Sequence, residues 1–246
     1  MTVALRAERL TRIFSSPAGE VHACESIDLE LRTGELLVVR GASGAGKTTL
    51  LNLLGVLDRP TSGRVWIGET DTTGMSESGL SLLRRDNLGF VFQSFGLIPV
   101  LSARENVELP LRIAGVDPAE RTERVNAALE MVGLGGHAEQ RPAELSGGQQ
   151  QRVGIARAIV SRPRILIADE PTGQLDSRTA ATIMDLLGEL AHAEGLAAIV
   201  STHDPLLVAR ADRVIEVHDG RITASESITT RTRAEARRLA SEAPSP

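Results

Sequence analysis

The sequence predicts an α/β protein with a phosphate-loop core, an antiparallel β layer ahead of it and an all-helical subdomain inserted between core strands. Three observations carry that prediction. First, Gly41-Ala42-Ser43-Gly44-Ala45-Gly46-Lys47-Thr48-Thr49 follows an apolar run, Leu36-Leu37-Val38-Val39, and opens onto Leu50, Leu51, Leu53 and Leu54 at helical spacing. A glycine loop between a buried strand and a helix is the context in which this pattern binds phosphate. Second, Ile165-Leu166-Ile167-Ala168 is another apolar strand, and it ends in Asp169-Glu170. Third, residues 94 to about 160 change character to cap signals and amphipathic helical spacing.

In order, Thr2 to Ile13 and Ser26 to Leu31 read as strands around a turn-rich loop, Ser15 to Gly19, and form the antiparallel layer. After the loop helix, Arg64 to Gly68 is a short strand, Leu80 to Arg85 a short helix, and Leu88 to Phe92 a buried strand running into Gln93. Ser102 with Glu105 has the spacing of a capping box and starts a helix to Leu109. Pro118 to Val132 is a second helix, and Ser146-Gly147-Gly148 opens a third that Pro163 ends. The core resumes at Ile165, with a helix over Thr179 to Glu194, a strand from Ala197 to Thr202 ending at His203, and a closing hairpin around Asp219-Gly220. The expected division is 1–93 for the β layer and first part of the core, 94–160 for the helical subdomain, 161–224 for the second part of the core, and 225–246 for a solvated tail.

At 246 residues and 41% hydrophobic content the chain has ample material for a core. A net charge of −5 with no Lys/Arg stripe in the body argues against nucleic-acid binding. The single cysteine, Cys24, excludes an internal disulfide and a cysteine metal cluster, fits a reducing compartment, and is assigned to packing. No apolar stretch reaches membrane-spanning length and the N-terminus lacks a signal-peptide core, so a cytoplasmic protein is expected unless something holds it at a membrane.

Phosphate chemistry follows from the residues. The glycines let backbone N–H groups point inward at the positive end of a helix dipole. Lys47 reaches the β- and γ-phosphates and the Thr48 hydroxyl is placed to ligate Mg²⁺. Of the 27 Lys and Arg residues, all but Lys47 are arginine, which leaves the compact ammonium only where a point charge on phosphate is wanted. Asp169 is placed to hold Mg²⁺, and Glu170 to polarise an attacking water. Leu145-Ser146-Gly147-Gly148-Gln149 exposes helix N-terminal N–H groups and a hydroxyl away from the chain's own phosphate loop. Its expected ligand is therefore the γ-phosphate on a second copy, in a head-to-tail dimer with two composite sites. Phe14, upstream of the loop, either stacks on adenine or belongs to the core.

Together these motifs resemble the ATP-binding cassette ATPases, over residues 1 to about 224 in that family's order. The resemblance implies an α/β phosphate-loop (RecA-like) ATPase core that uses ATP and Mg²⁺. It makes Glu170, His203 and Gln93 catalytic: the general base, the switch histidine on the γ-phosphate, and the glutamine that senses Mg²⁺ and water. Thr48, Gln93 and Asp169 become the metal residues. Phe14 joins Gly41, Ala42, Ser43, Gly44, Ala45, Gly46, Lys47, Thr48 and Thr49 in binding ATP; it replaces the family's usual tyrosine in a chain without tyrosine. Ser146, Gly147, Gly148 and Gln149 bind ATP in trans, and Leu175-Asp176 crosses the dimer interface.

Val91 to Pro99, with Glu105-Asn106-Val107, resembles the subgroup of lipoprotein-release, macrolide-efflux and cell-division ATPases, although Gln174 stands where that subgroup usually has asparagine. The implied function is the ATP-hydrolysing subunit of a membrane export or extrusion complex, working as a homodimer on the inner face of the membrane. The alternative is a mechanotransmission complex that signals without transporting. A soluble cassette of DNA repair or translation would carry two cassettes, a long insert or a basic face, none of which the sequence has. An integral membrane permease is expected to dock near Phe95–Leu101, with Leu97 and Ile98 lining the groove and Phe95 mainly in the core.

Overall fold

The structure is a computed structural model that describes residues 2–17 and 19–228. Strands β1 (Val3–Ser16), β2 (Gly19–Arg32), β4 (Ser62–Ile67) and β5 (Thr70–Asp71) form an antiparallel sheet in the order β2-β1-β4-β5. A six-stranded sheet has the order β10-β9-β3-β8-β7-β6, from β3 (Leu36–Arg40), β6 (Leu88–Phe92), β7 (Ile165–Asp169), β8 (Ala197–Thr202), β9 (Arg213–His218) and β10 (Arg221–Ser227). Its pairs are parallel except at the β9–β10 edge. Helices α1 (Lys47–Leu54) and α2 (Glu77–Asn87) precede β6, while α3 (Ala103–Ile113), α4 (Pro118–Met131) and α5 (Gly147–Ile159) lie between β6 and β7. Helix α6 (Ser177–Glu194) joins β7 to β8, and the short α7 (Pro205–Val208) follows β8.

Side-chain alternation along the parallel strands divides the interior in two. Leu37, Val39, Ile165, Ile167, Ala197 and Ile199 face α1 and the antiparallel layer, whereas Leu36, Val38, Leu166, Ala168, Ala198 and Val200 face α3–α6. The period-2 pattern thus buries both faces, as a parallel sheet requires.

Several boundaries differ from expectation for physical reasons. The β1–β2 hairpin runs on to Ser16 and from Gly19, where a loop and a later strand start are expected. Ser26 has a left-handed backbone (φ 49°) and the register shifts repeatedly, so no single alternation marks the outer half of the hairpin. Helix α3 continues past Leu109 through Pro110 to Ile113, carried by the burial of Val107 and Leu111. Strand β10 extends to Ser227, three residues into the stretch assigned to the tail. Ile228 follows, its N donating to Asp212 O (2.7 Å) and its side chain packed against the core, and residues 229–246, with the helical turn expected around 234–239, lie outside the described residues.

The segment after β6 is held by both α3 and α5. Leu97 is half-buried and packs against the helical-side core. Phe95 is only half-buried, in a left-handed turn (φ 60°). The outward apolar residues are Ile98, 37% exposed, and Val100, 73% exposed. Asn106, fully buried on α3, staples the segment: its Oδ1 accepts from Ile98 N (2.8 Å), and its Nδ2 donates to the carbonyls of Ile98, Leu101 and Ser102. From α5, Arg157 donates to the carbonyls of Gly96 and Phe95 (2.5 and 3.1 Å), and its burial lowers the guanidinium pKa.

Candidate active site

The phosphate loop turns from β3 into α1 over residues 41–46. Gly46 is the left-handed N-cap of α1 (φ 103°), and a Cβ there would overlap the Ala23 carbonyl on β2, so only glycine fits. The β9–β10 turn closes the same corner: Gly220 N donates to Ala45 O (3.0 Å), and Glu25 N donates to Gly220 O (2.8 Å). Cys24 is buried beneath this corner, its Sγ 4.0 Å from Gly46 O, and burial pushes its thiol up to about 12. It is a protonated, inert packing residue.

These elements frame a cleft of about 490 Å³ lined by Phe14, Val21, His22, Ala23, the loop residues Ser43, Gly44, Gly46, Lys47, Thr48 and Thr49, and by Glu170, Asp219 and Gly220. Phe14 stands opposite Val21 across the hairpin. It is 40% exposed, with the Arg12 guanidinium 4.5 Å from its ring centroid. Arg12 is itself held by Asp58 at 2.9 Å.

The charged groups converge at the loop. Lys47 is 5% exposed; its Nζ donates to Gly41 O (2.9 Å) and Ala42 O (3.0 Å) and lies 3.6 Å from Glu170 Oε1. His203 Nδ1 lies 3.3 Å from the other carboxylate oxygen of Glu170. Thr48 Oγ1 donates to Asp169 Oδ2 (2.8 Å). Phe92 pairs with Asp169 at the end of β6, and Gln93 follows it. There the Gln93 amide covers Gly173, with Nε2 2.7 Å from where a Cβ on Gly173 would be.

One hydroxyl and one carboxylate side by side form a hard-oxygen donor set. Among the described residues no group of three or more His, Cys, Asp or Glu forms a metal cage. That combination fits Mg²⁺, which shares its coordination with water and phosphate oxygens.

Ser146, Gly147, Gly148 and Gln149 do not line the cleft. They form a capping box at the start of α5, in which Ser146 N donates to Gln149 Oε1 (2.8 Å) and Gln149 N to Ser146 Oγ (3.3 Å). The first-turn amides of Gly147 and Gly148 precede the intrahelical ladder. A Cβ on Gly148 would overlap Thr179 of α6, and one on Gly147 would sit 3.4 Å from Leu175. Asp176, beside Leu175, caps α6 by accepting from Arg178 N (3.1 Å) and Thr179 N (3.0 Å). The hydrogen bonds with Thr179 hold its carboxyl below the usual carboxylate range.

A family model described as ABC transporter matches residues 24–173. The chain belongs to the ABC transporter family. The cassette is 50% identical over 212 residues to the macrolide export ATP-binding/permease protein MacB of Nitrosomonas europaea, covering 86% of this chain and 32% of that protein. It is 45% identical over 218 residues to the probable syringafactin export ATP-binding/permease protein SyfD of Pseudomonas syringae pv. tomato, covering 89% and 32%. The cassette thus spans about a third of the length of these curated relatives. Among solved structures, the ATP-binding cassette MJ0796, a dimer in a post-hydrolysis state bound to ADP and Pi, superposes with a TM-score of 0.84 at 39% identity. That match covers 92% of this chain and 99% of the other. A cassette from Clostridium perfringens, part of an ABC transporter complex, also gives 0.84, at 28% identity over 98% and 92% of the two chains. The fold is that of the family's ATPase cassettes.

Two features are not legible as neighbours of the cleft in the sequence: the Asp219-Gly220 turn, which lines it, and Ser201, whose hydroxyl bonds Asp169 and the Glu170 amide. Ser201 ends an apolar strand just before His203, and that hydroxyl was the available signal; its partners lie on another strand. The Asp219-Gly220 turn is legible only as a hairpin.

Proposed function

We propose that this ATPase hydrolyses ATP between two copies of itself, closing head to tail, and that closure powers a membrane export complex. One observation carries the reading: Lys47, Thr48 and Glu170 line the cleft, with His203 3.3 Å from Glu170 and Asp169 2.8 Å from Thr48. Phe14 stacks on adenine, and the amides of residues 41–49 wrap the triphosphate. Lys47 exchanges its carbonyl partners for β- and γ-phosphate oxygens. Thr48, Asp169 and Gln93 hold Mg²⁺, which neutralises charge developing on those oxygens. Glu170 takes a proton from the attacking water as its oxygen bonds the γ-phosphorus and ADP leaves; His203 steadies the γ-phosphate. Ser146, Gly147, Gly148 and Gln149 of the second copy close over that phosphate through first-turn amides. Leu175-Asp176 crosses the dimer interface, with the exposed Asp176 carboxylate also capping α6.

Sharing of sites is tested by mixing. Lys47→Ala and Ser146→Arg are each expected to be inactive alone, whereas a mixed dimer regains one composite site with both halves intact. ATP-dependent association and single-turnover hydrolysis should therefore recover in the mixture. No recovery would count against a shared site.

Export is favoured over signalling because the relatives carry export names, for macrolides, syringafactin and pyoverdine. No helix among the described residues is long and apolar enough to cross a membrane, and in this reading a permease holds the cassette at the inner face. Ile98 and Val100 supply the outward apolar contact for it. Ile98→Glu or Val100→Glu should leave basal ATPase and Tm nearly unchanged while weakening co-purification with the permease and its stimulation of hydrolysis. Leu97→Glu, by contrast, puts a charge against the core and should lower the Tm. Loss of basal ATPase in the Ile98 and Val100 variants, with assembly spared, would move the docking surface elsewhere.

A further inference from the structure

We propose that Ser201 is a positioning residue that fixes both the Mg²⁺-facing oxygen of Asp169 and the turn that carries Glu170. The role rests on the reading of Asp169 and Glu170 given above. The β7–β8 pairing runs from Ile165↔Ala197 to Ala168↔Val200 and stops there. Beyond it, the Ser201 hydroxyl replaces the backbone ladder. It donates to Asp169 Oδ1 at 2.6 Å and accepts from Glu170 N at 2.8 Å. Ser201 is fully buried, so its donor and one acceptor position are spent inside the protein on the two neighbouring acidic residues.

Two consequences follow from this bridge. The carboxylate of Asp169 is held at both oxygens, with Oδ1 committed to Ser201 and Oδ2 turned to Thr48 at 2.8 Å. Only Oδ2 is then presented to the side where Thr48 and the phosphates meet the cation. Glu170 meanwhile adopts a left-handed backbone (φ 43°), a conformation that side-chain-bearing residues disfavour. Its amide is tied to Ser201 on one side, and its carbonyl accepts from Gly173 N (3.1 Å) on the other. The turn that aims the Glu170 carboxylate at Lys47 and His203 is therefore pinned across strands. Without the hydroxyl, Asp169 Oδ1 loses its buried donor and the carboxylate is free to rotate away from Thr48.

The test compares Ser201→Ala, Ser201→Val and Ser201→Thr. Threonine keeps the hydroxyl, and valine has nearly the same shape without it, so the pair isolates the hydrogen bonds from packing in a strand that tolerates β-branching. Isothermal titration of Mg²⁺ into each nucleotide-saturated variant reads the cation directly; nucleotide affinity in EDTA, kcat, KM and Tm are measured beside it. Ala and Val should weaken Mg²⁺ and lower kcat by ~10–100-fold, the range for supporting residues around a metal, with nucleotide affinity in EDTA unchanged. Thr should stay near the parent protein in both. Equal Mg²⁺ affinity and kcat in the Val and Thr variants would overturn the proposal. So would a loss in Val that appears only as lowered Tm, with Mg²⁺ affinity intact. Glu170→Gln in the same assays separates the two claims: slow hydrolysis there with a silent Ser201 series refutes only the positioning role. Normal hydrolysis in Glu170→Gln refutes the underlying reading and the positioning role with it.

Discussion

Lys47→Ala is expected to abolish productive ATP binding and reduce hydrolysis to background. The ammonium is nearly buried, capped by the Gly41 and Ala42 carbonyls and 3.6 Å from Glu170. It is the chain's one lysine, and no other side chain offers a flexible point charge at the head of α1. Alanine leaves the loop backbone in place but removes the charge on which the β- and γ-phosphates depend. Lys47→Arg is not expected to restore function, because the planar guanidinium is larger and rigid where a compact ammonium fits. Fluorescent-nucleotide binding and phosphate release measure both effects, with circular dichroism confirming that the fold is retained. Near-normal hydrolysis in Lys47→Ala would refute the site.

Glu170→Gln should do the opposite to binding. Glutamine keeps the side chain's shape and the backbone anchors to Ser201 and Gly173, so nucleotide affinity should persist. The neutral amide cannot take a proton from water, and hydrolysis should slow by the ~10²–10⁴-fold typical of a lost general base. The expected signature is a fall in kcat with little change in nucleotide affinity, the pattern of an interaction made only in the transition state. A variant that loses binding along with hydrolysis would instead make Glu170 a structural partner of Lys47.

The parts of this protein legible in sequence are those whose physics is local. The run from Gly41 to Thr49 announces itself because loop, lysine and helix start are contiguous. The Ser102/Glu105 capping box follows from spacing alone and is present in the structure. Asp169 and Glu170 stand out because two carboxylates end an apolar strand. What sequence does not expose is set by neighbours distant in the chain. Ser201 acquires its meaning only because β8 lies beside β7. Arg157 reads as one more helical arginine until α5 brings it to the Phe95 and Gly96 carbonyls. Leu97 and Ile98 look equivalent as letters, yet the buried Asn106 fixes the segment so that one packs inward and the other faces out. The outer β1–β2 hairpin hides for another reason: its bulges break the alternation that reveals a strand.

ATP is expected to join two copies of this chain through the first-turn amides of α5. Sedimentation velocity of Glu170→Gln, with and without Mg²⁺-ATP, tests it most directly, because slowed hydrolysis preserves the closed state long enough to observe. The expected result is a monomer without nucleotide, a dimer with Mg²⁺-ATP, and reversion to monomer when Ser146→Arg is added to the same chain. A Glu170→Gln protein that binds Mg²⁺-ATP and remains monomeric, or one whose dimer is indifferent to Ser146→Arg, would contradict it.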